Sequence, residues 1–222
     1  MEPKFKRRYY FPRKLLTWKD LSYLINLRPL MTSERVRIKI VGSFGWKNHP
    51  WALDPNCFPP TLLKDLIDEN LVYFVDMSRC TKKVNAFAER LEKEYDQPVD
   101  AHLYVDRCIS SEHPFGIHFD WADNVIVQCE GITNFKVWDE MQGLSREIWG
   151  EGTRGQLTID KCPPLGKKPL LDVDMRPGDA IWIPKHHPHL ATSKTIRLSV
   201  SFPLSTSPED DKIFQERKWI EL

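Results

Sequence analysis

His118-Phe-Asp120-Trp-Ala-Asp-Asn124-Val-Ile-Val-Gln128-Cys-Glu-Gly131-Ile-Thr133-Asn-Phe-Lys136-Val-Trp138 holds two short β-type runs, Asn124–Cys129 and Asn134–Trp138. In the first run Asn124 and Gln128 share one parity and Val125 and Val127 the other, so a strand here has one polar and one apolar face. Further runs of this kind lie at Ala101–Val105, Leu170–Val173, Ala180–Pro184 and Ile196–Phe202. Several short strands at this spacing predict a mainly β sandwich or barrel. In the last run Arg197, Ser199 and Ser201 alternate with Leu198, Val200 and Phe202. Either face of such a strand could be the outer one, but the alternation repeats that of Asn124 and Gln128, as in a barrel with a polar interior and an apolar outside covered by the N-terminal helices.

Upstream of residue 99 the texture is mixed. Thr17-Trp-Lys-Asp20 has the form of a capping box ahead of Leu21, Leu24 and Ile25, and Pro29 closes the helical spacing. Val36, Ile38 and Ile40 alternate with Arg35, Arg37 and Lys39 as on a strand. Thr61 is placed to cap a helix of about ten residues, and Leu71–Val75 reads as a short strand. Val84, Phe87, Ala88, Leu91 and Tyr95 mark the clearest amphipathic helix, ended by Pro98. The expected organisation is an N-terminal helix and strand region over 1–98 that packs on a barrel over 99–205, then a tail over 206–222, opened as a helix by Pro208. Gly150, Gly152 and Gly155 match no phosphate-loop pattern and read as loop.

At 222 residues, 41% hydrophobic and 28% charged, the chain can bury a sizeable core and is neither disordered nor fibrous. Its apolar runs are far shorter than the roughly 20 residues of a membrane span. The charged N-terminus lacks a signal-like apolar region. The five cysteines are odd in number and widely spaced, which favours reduced thiols over a disulfide framework or a CxxC metal pair. A cytoplasmic location is therefore expected. Net charge is +1, yet residues 1–14 carry six cations against Glu2, so a basic arm precedes a mildly acidic body.

His118 and Asp120 are two residues apart, so on a strand both point to one side and can share a metal ion. An isolated HxD is more simply a histidine near an acid. Here, however, Pro177-Gly-Asp179-Ala-Ile-Trp-Ile183-Pro184 describes a turn, a strand and a stop, followed by His186, His187 and His189. Any of these can add a third ligand. Two histidines and one carboxylate form the facial triad of non-haem Fe(II) oxygenases, which leaves coordination positions for other groups.

His118-Phe-Asp120, the run Asn124 to Gly131, Phe135-Lys-Val-Trp138, Pro177-Gly-Asp179, Ile183-Pro184 and Pro188-His189 together resemble the JmjC/cupin-like Fe(II) and 2-oxoglutarate oxygenases. That family includes asparaginyl hydroxylases and bacterial ribosomal-protein hydroxylases. The resemblance covers about 99–204 and implies a double-stranded β-helix, a jelly-roll or cupin barrel with N-terminal helices packed outside. It implies Fe(II), 2-oxoglutarate and O2 as cofactor and co-substrates, and a dioxygenase that couples 2-oxoglutarate decarboxylation to hydroxylation of a C–H bond. Its spacing through Ile-Pro selects His189 as the third metal ligand beside His118 and Asp120. His187 shares the parity of His189, and His186 does not.

Relatives often place Lys or Arg fifteen residues after the first ligand to hold the distal carboxylate of 2-oxoglutarate, but this chain has Thr133 there. Arg197-Leu-Ser199 resembles the RxS pair that grips this carboxylate in other 2-oxoglutarate oxygenases, and a planar guanidinium suits the task. Arg197 is therefore expected as the anchor, helped by Ser199 and Thr133, with Lys136 of opposite parity as the rival cation. Asn124 falls where relatives carry a polar residue near metal and co-substrate. Tyr104 is a further candidate at the barrel mouth.

The family makes a protein side chain the first substrate expectation, with a small molecule or RNA nucleoside as alternatives. A cupin metalloenzyme or a binding module that does not use 2-oxoglutarate is the rival class. Lys4-Phe-Lys-Arg-Arg-Tyr-Tyr-Phe11 interleaves cations with aromatics, a composition compatible with RNA or an acidic partner. An arm packed on the core through its aromatics accounts for it equally. The 139–170 loop carries Trp149, Arg154 and several lysines and is a candidate substrate rim.

Overall fold

A computed structural model of the chain describes residues 2–7, 15–26, 37–41, 52–53, 71–75, 77–107, 117–120, 122–139, 155–157 and 168–204. The helix expected after Thr61, most of the 139–170 loop and the 206–222 tail lie outside the described residues.

Two antiparallel sheets form the body. The strands are β1 (Lys4–Lys6), β2 (Arg37–Val41), β3 (Ala52–Leu53), β4 (Leu71–Val75), β5 (His102–Asp106), β6 (Ile117–Phe119), β7 (Asp123–Glu130), β8 (Thr133–Val137), β9 (Gly155–Leu157), β10 (Leu171–Met175), β11 (Ala180–Ile183), β12 (His189–Ser193) and β13 (Arg197–Leu204). The larger sheet runs β1-β11-β7-β13-β5-β4-β2-β3 and the smaller β10-β8-β12-β6-β9. With the helices outside, this is the expected jelly-roll architecture.

The alternation read from β7 and β13 is what separates inside from outside. Val125, Val127, Cys129, Leu198, Val200, Phe202 and Leu204 share one buried cluster with Leu21 and Leu24 of helix α1 (Trp18–Asn26) and with Val84, Phe87, Ala88 and Leu91 of α2 (Lys82–Tyr95). Ile126, on the other face of β7, joins Phe135, Val137, Met175, Ile181, Ile183 and Ala191 inside the barrel. The outer cluster anchors the helices through contacts such as Phe87 on Phe202, ring centroids 4.7 Å apart. Each fully buried Leu or Phe there contributes about 1.5–3 kcal/mol.

Both helices begin as their caps require. Thr17 N–H donates to Asp20 Oδ2 at 2.9 Å and Asp20 N–H donates back to Thr17 Oγ1 at 3.2 Å, a closed capping box. Thr81 Oγ1 accepts from Val84 N–H at 3.1 Å, and α2 stops at Asp96 in the left-handed conformation, φ 51°. Among the described residues no helix is long and apolar enough to cross a membrane. Cys80 and Cys129 are buried thiols outside any disulfide. Burial pushes the Cys80 thiol up to about 12, so it is an uncharged core side chain at neutral pH.

Four readings need correction. Lys4–Lys6, read as part of a basic arm, is an edge strand: Phe5 pairs with Ile181 and packs on the inner cluster, while Lys4 lies over the Trp182 ring. The unsatisfied edge of β11 recruits this backbone despite its charge, because charged side chains on an edge strand stay in water. Gly155, read as loop, opens β9, which pairs with β6. His189–Ser193 forms a strand that was not foreseen, since its polar composition hides the alternation His189, Ala191, Ser193 facing inward. Lastly, β6 ends at Phe119, so Asp120 reaches the site from the residue after the strand.

Gly131 joins β7 to β8 at φ +75°, and a Cβ there would stand 1.6 Å from the Ile196 carbonyl oxygen. Gly131→Ala is expected to destabilise by about 3 kcal/mol, lowering the melting temperature by roughly 6–12 °C. An unchanged thermal unfolding curve would show that this close approach relaxes freely.

Candidate metal centre

His118 and His189 are register partners on adjacent strands β6 and β12, which sets their rings 4.3 Å apart by centroid. Asp120 follows β6, and its Oδ2 lies 3.8 Å from His189 Nε2. One ligand atom from each of the three falls within 4.8 Å of the others, and among the described residues this is the group able to share a metal. His118 and His189 are buried and Asp120 half-buried.

Neighbouring groups orient His189 and Asp120. His189 Nδ1 lies 3.0 Å from the His187 carbonyl, which can only accept; the proton therefore sits on Nδ1 and Nε2 is left as a lone-pair donor. Asn124 Nδ2 donates to Asp120 Oδ2 at 2.9 Å, and Asn124 Oδ1 accepts from Ser201 Oγ at 2.5 Å. His186 N–H donates to the Asp120 carbonyl at 2.9 Å, tying the turn before β12 to the ligand loop. His186 itself adopts φ 65° there. Asn124→Ala is expected to weaken divalent metal binding about 10- to 100-fold, the usual effect of losing an outer partner of a ligand. Titration with Mn²⁺ measures it; wild-type affinity would assign Asn124 to strand packing alone.

The metal-ligand candidates line one pocket with Asn124, Arg197, Ser199, Tyr104 and the apolar Ile126, Phe135 and Ala191. Thr133 is wholly buried but is not on that lining; its Oγ1 has no hydrogen-bond partner among the described residues. Lys136 faces outward, half exposed, 3.9 Å from Asp172. His187 is buried away from the pocket, its Nδ1 3.2 Å from the Lys185 carbonyl.

Arg197 roots at the far end of the barrel from Asn124, since Ser199 pairs with Gln128 while Asn124 pairs with Pro203. It is 1% exposed, faces inward as the alternation predicts, and its Nε stands 2.9 Å from Asp106 Oδ2. The contact is a buried ion pair. Its guanidinium carbon lies 5.5 Å from the Tyr104 ring centre.

A family model for the JmjC domain matches residues 76–210. The chain belongs to the JmjC domain family. Among solved structures the JmjC chain is similar to Escherichia coli YcfD, with TM-score 0.58, 14% identity, and coverage of 95% of this chain and 51% of that one. The same protein, described as a ribosomal oxygenase in complex with cobalt and 2-oxoglutarate, matches with TM-score 0.57 and 13% identity over 99% of this chain and 55% of that one. At this identity the likeness establishes the fold, and the JmjC chain spans about half the length of these structures. No curated protein matches the sequence.

Asp106 and Ser193 were not foreseen among the polar residues of this JmjC barrel, and Ser201, read only through the alternation of β13, was not foreseen as the partner of Asn124. The parity of His102, Tyr104 and Asp106 against Leu103 and Val105 carried a signal for the first, because the apolar pair faces the outer cluster. Ser193 lies on the unforeseen β12, and its Oγ donates to Asp106 Oδ2 at 3.1 Å across the barrel floor.

Proposed function

We propose that this JmjC protein is an Fe(II)- and 2-oxoglutarate-dependent oxygenase that couples decarboxylation of 2-oxoglutarate to succinate with hydroxylation of a substrate C–H bond. The observation that carries this is a single pocket with two imidazoles and a carboxylate near one end and a buried guanidinium rooted at the other. The donor set fits Fe(II): three ligands of mixed nitrogen and oxygen type leave room for a chelating co-substrate and O2. When bound, the metal with its co-substrate supplies the oxidation of the C–H bond.

This chain's residues bind and orient. His118, Asp120 and His189 hold the metal, the His187 carbonyl keeps His189 in the tautomer that donates from Nε2, and Asn124 steers the Asp120 carboxylate. Arg197 holds the distal carboxylate of 2-oxoglutarate, with Ser199 on its strand and the buried Thr133 hydroxyl at the same end of the barrel, where Thr133 pairs with Ser193. Ile126, Phe135 and Ala191 form apolar walls that exclude water and so strengthen that ion pair.

A protein side chain is the substrate class we favour; support comes from YcfD being a ribosomal oxygenase of the same fold. The basic strand β1, with Lys4, Lys6 and Arg7 exposed, gives an acidic or RNA-containing partner a place to dock. Buried thiols outside any disulfide fit a reducing, cytoplasmic setting. The test is succinate formation from 2-oxoglutarate, dependent on Fe(II) and stimulated by candidate substrates. Tight binding of metal and 2-oxoglutarate without succinate would favour a binding module, and turnover with no 2-oxo acid a different cupin enzyme.

A further inference from the structure

Asp106 is a buried carboxylate that takes no part in the metal centre. It ends β5 directly opposite Arg197 on β13, and the two side chains are almost wholly buried, the residues 4% and 1% exposed. Its Oδ2 meets Arg197 and Ser193, while Oδ1 is buried with no hydrogen-bond partner among the described residues. A dry, unpaired oxygen on an ionised carboxylate is costly, and protonation relieves that cost.

The surroundings of Asp106 contain little charge. Arg197 of β13 is the charged group acting on it among the described residues, and Ser193 of β12 is a neutral donor. Gln128 of β7 and Thr133 of β8, inward-facing at the same end, are uncharged. On β5 itself, Tyr104 lies against the guanidinium and His102 is engaged with Asp100. Burial pushes the Asp106 carboxyl up, opposed by Arg197 and Ser193.

Without ligand the Asp106–Arg197 pair is neutral. A ligand carboxylate seated on Arg197 adds a second negative charge to one buried guanidinium, and two carboxylates sharing such a site do not both stay ionised. Resting on the 2-oxoglutarate reading above, we infer that Asp106 takes up a proton from solvent when a carboxylate-tailed 2-oxo acid seats on Arg197, which makes it the residue that couples co-substrate binding to pH. The proton balances the incoming charge, so the pocket floor stays neutral.

The test is calorimetric binding of 2-oxoglutarate and 2-oxobutyrate to the Mn²⁺-loaded protein in two buffers of different ionisation enthalpy. Both acids carry the same metal-chelating group, so proton changes at the metal cancel in the comparison. The expected result is uptake of about one more proton for 2-oxoglutarate than for 2-oxobutyrate, and a 2-oxoglutarate Kd that rises by up to about tenfold per pH unit relative to that of 2-oxobutyrate. Asp106→Asn should abolish both differences. Equal proton uptake by the two acids in the wild type overturns the inference, as does an uptake difference that persists in Asp106→Asn. Should that variant fail to fold, the wild-type comparison decides alone. Binding of neither acid would overturn the 2-oxoglutarate reading, and the inference with it, an outcome distinct from binding without differential uptake.

Discussion

His189→Ala and Asp120→Ala are each expected to reduce Fe(II)-dependent succinate formation by more than about 100-fold, because loss of even an outer partner of a ligand costs 10- to 100-fold and these changes would remove a proposed ligand itself. Divalent metal affinity falls in parallel, measured by Mn²⁺ titration. The fold survives, since both side chains line the pocket and neither belongs to the apolar clusters that join sheets and helices. His187→Ala is the internal control. It keeps the backbone carbonyl that accepts from His189 Nδ1, and its ring is directed to Lys185 rather than to the pocket. Near-normal turnover in His189→Ala with loss in His187→Ala would show that the third ligand is His187 and not His189.

Arg197→Ala is expected to raise the KM for 2-oxoglutarate by about 10²-fold, the effect of losing a charge-assisted pair worth a few kcal/mol in a desolvated pocket. A shorter 2-oxo acid without the distal carboxylate distinguishes little between wild type and variant. Burial adds a second consequence. Removing Arg197 strands Asp106 as an unpaired buried carboxylate, which costs about 3–5 kcal/mol of stability. Asp106→Asn in the same chain recovers much of that stability but none of the KM, so the two roles of Arg197 separate in one pair of measurements. Arg197→Lys recovers only part of the affinity, as an ammonium cannot reproduce a two-point fork. An unchanged KM in Arg197→Ala with a raised one in Lys136→Ala would move the anchor to β8, against the outward position of Lys136 beside Asp172.

What was legible in the sequence was local and periodic. A strand exposes alternate residues to opposite sides, so the polar parity of Asn124, Gln128, Arg197 and Ser199 favoured an inward Arg197, while either face of β13 could have been the outer one until its contacts were known. Helical spacing did the same for Val84, Phe87, Ala88 and Leu91, and their burial on α2 follows from it. The HxD pair and the Gly-Asp turn marked two pieces of the candidate metal centre, and the ordered set of motifs named the family. Strand ends were less legible, because the last residue of β6 and the first of β12 depend on which partner backbone is within reach.

Register was beyond the sequence. That His189 stands opposite His118, and Asp106 opposite Arg197, is set by how β12 meets β6 and β13 meets β5, pairings between segments far apart in the chain. No local parity distinguishes His189 from His187; the turn through His186 at positive φ and the start of β12 at His189 bring the His189 ring beside His118 and Asp120 and leave His187 at the Lys185 carbonyl. The same holds for Phe5, where the sequence leaves a charged docking arm and one packed through its aromatics equally open until the edge of β11 supplies hydrogen-bond partners and the inner cluster an apolar surface. Periodicity reports which way a side chain faces, whereas its partner is decided by long-range backbone pairing, and it is the partners that make this pocket a site.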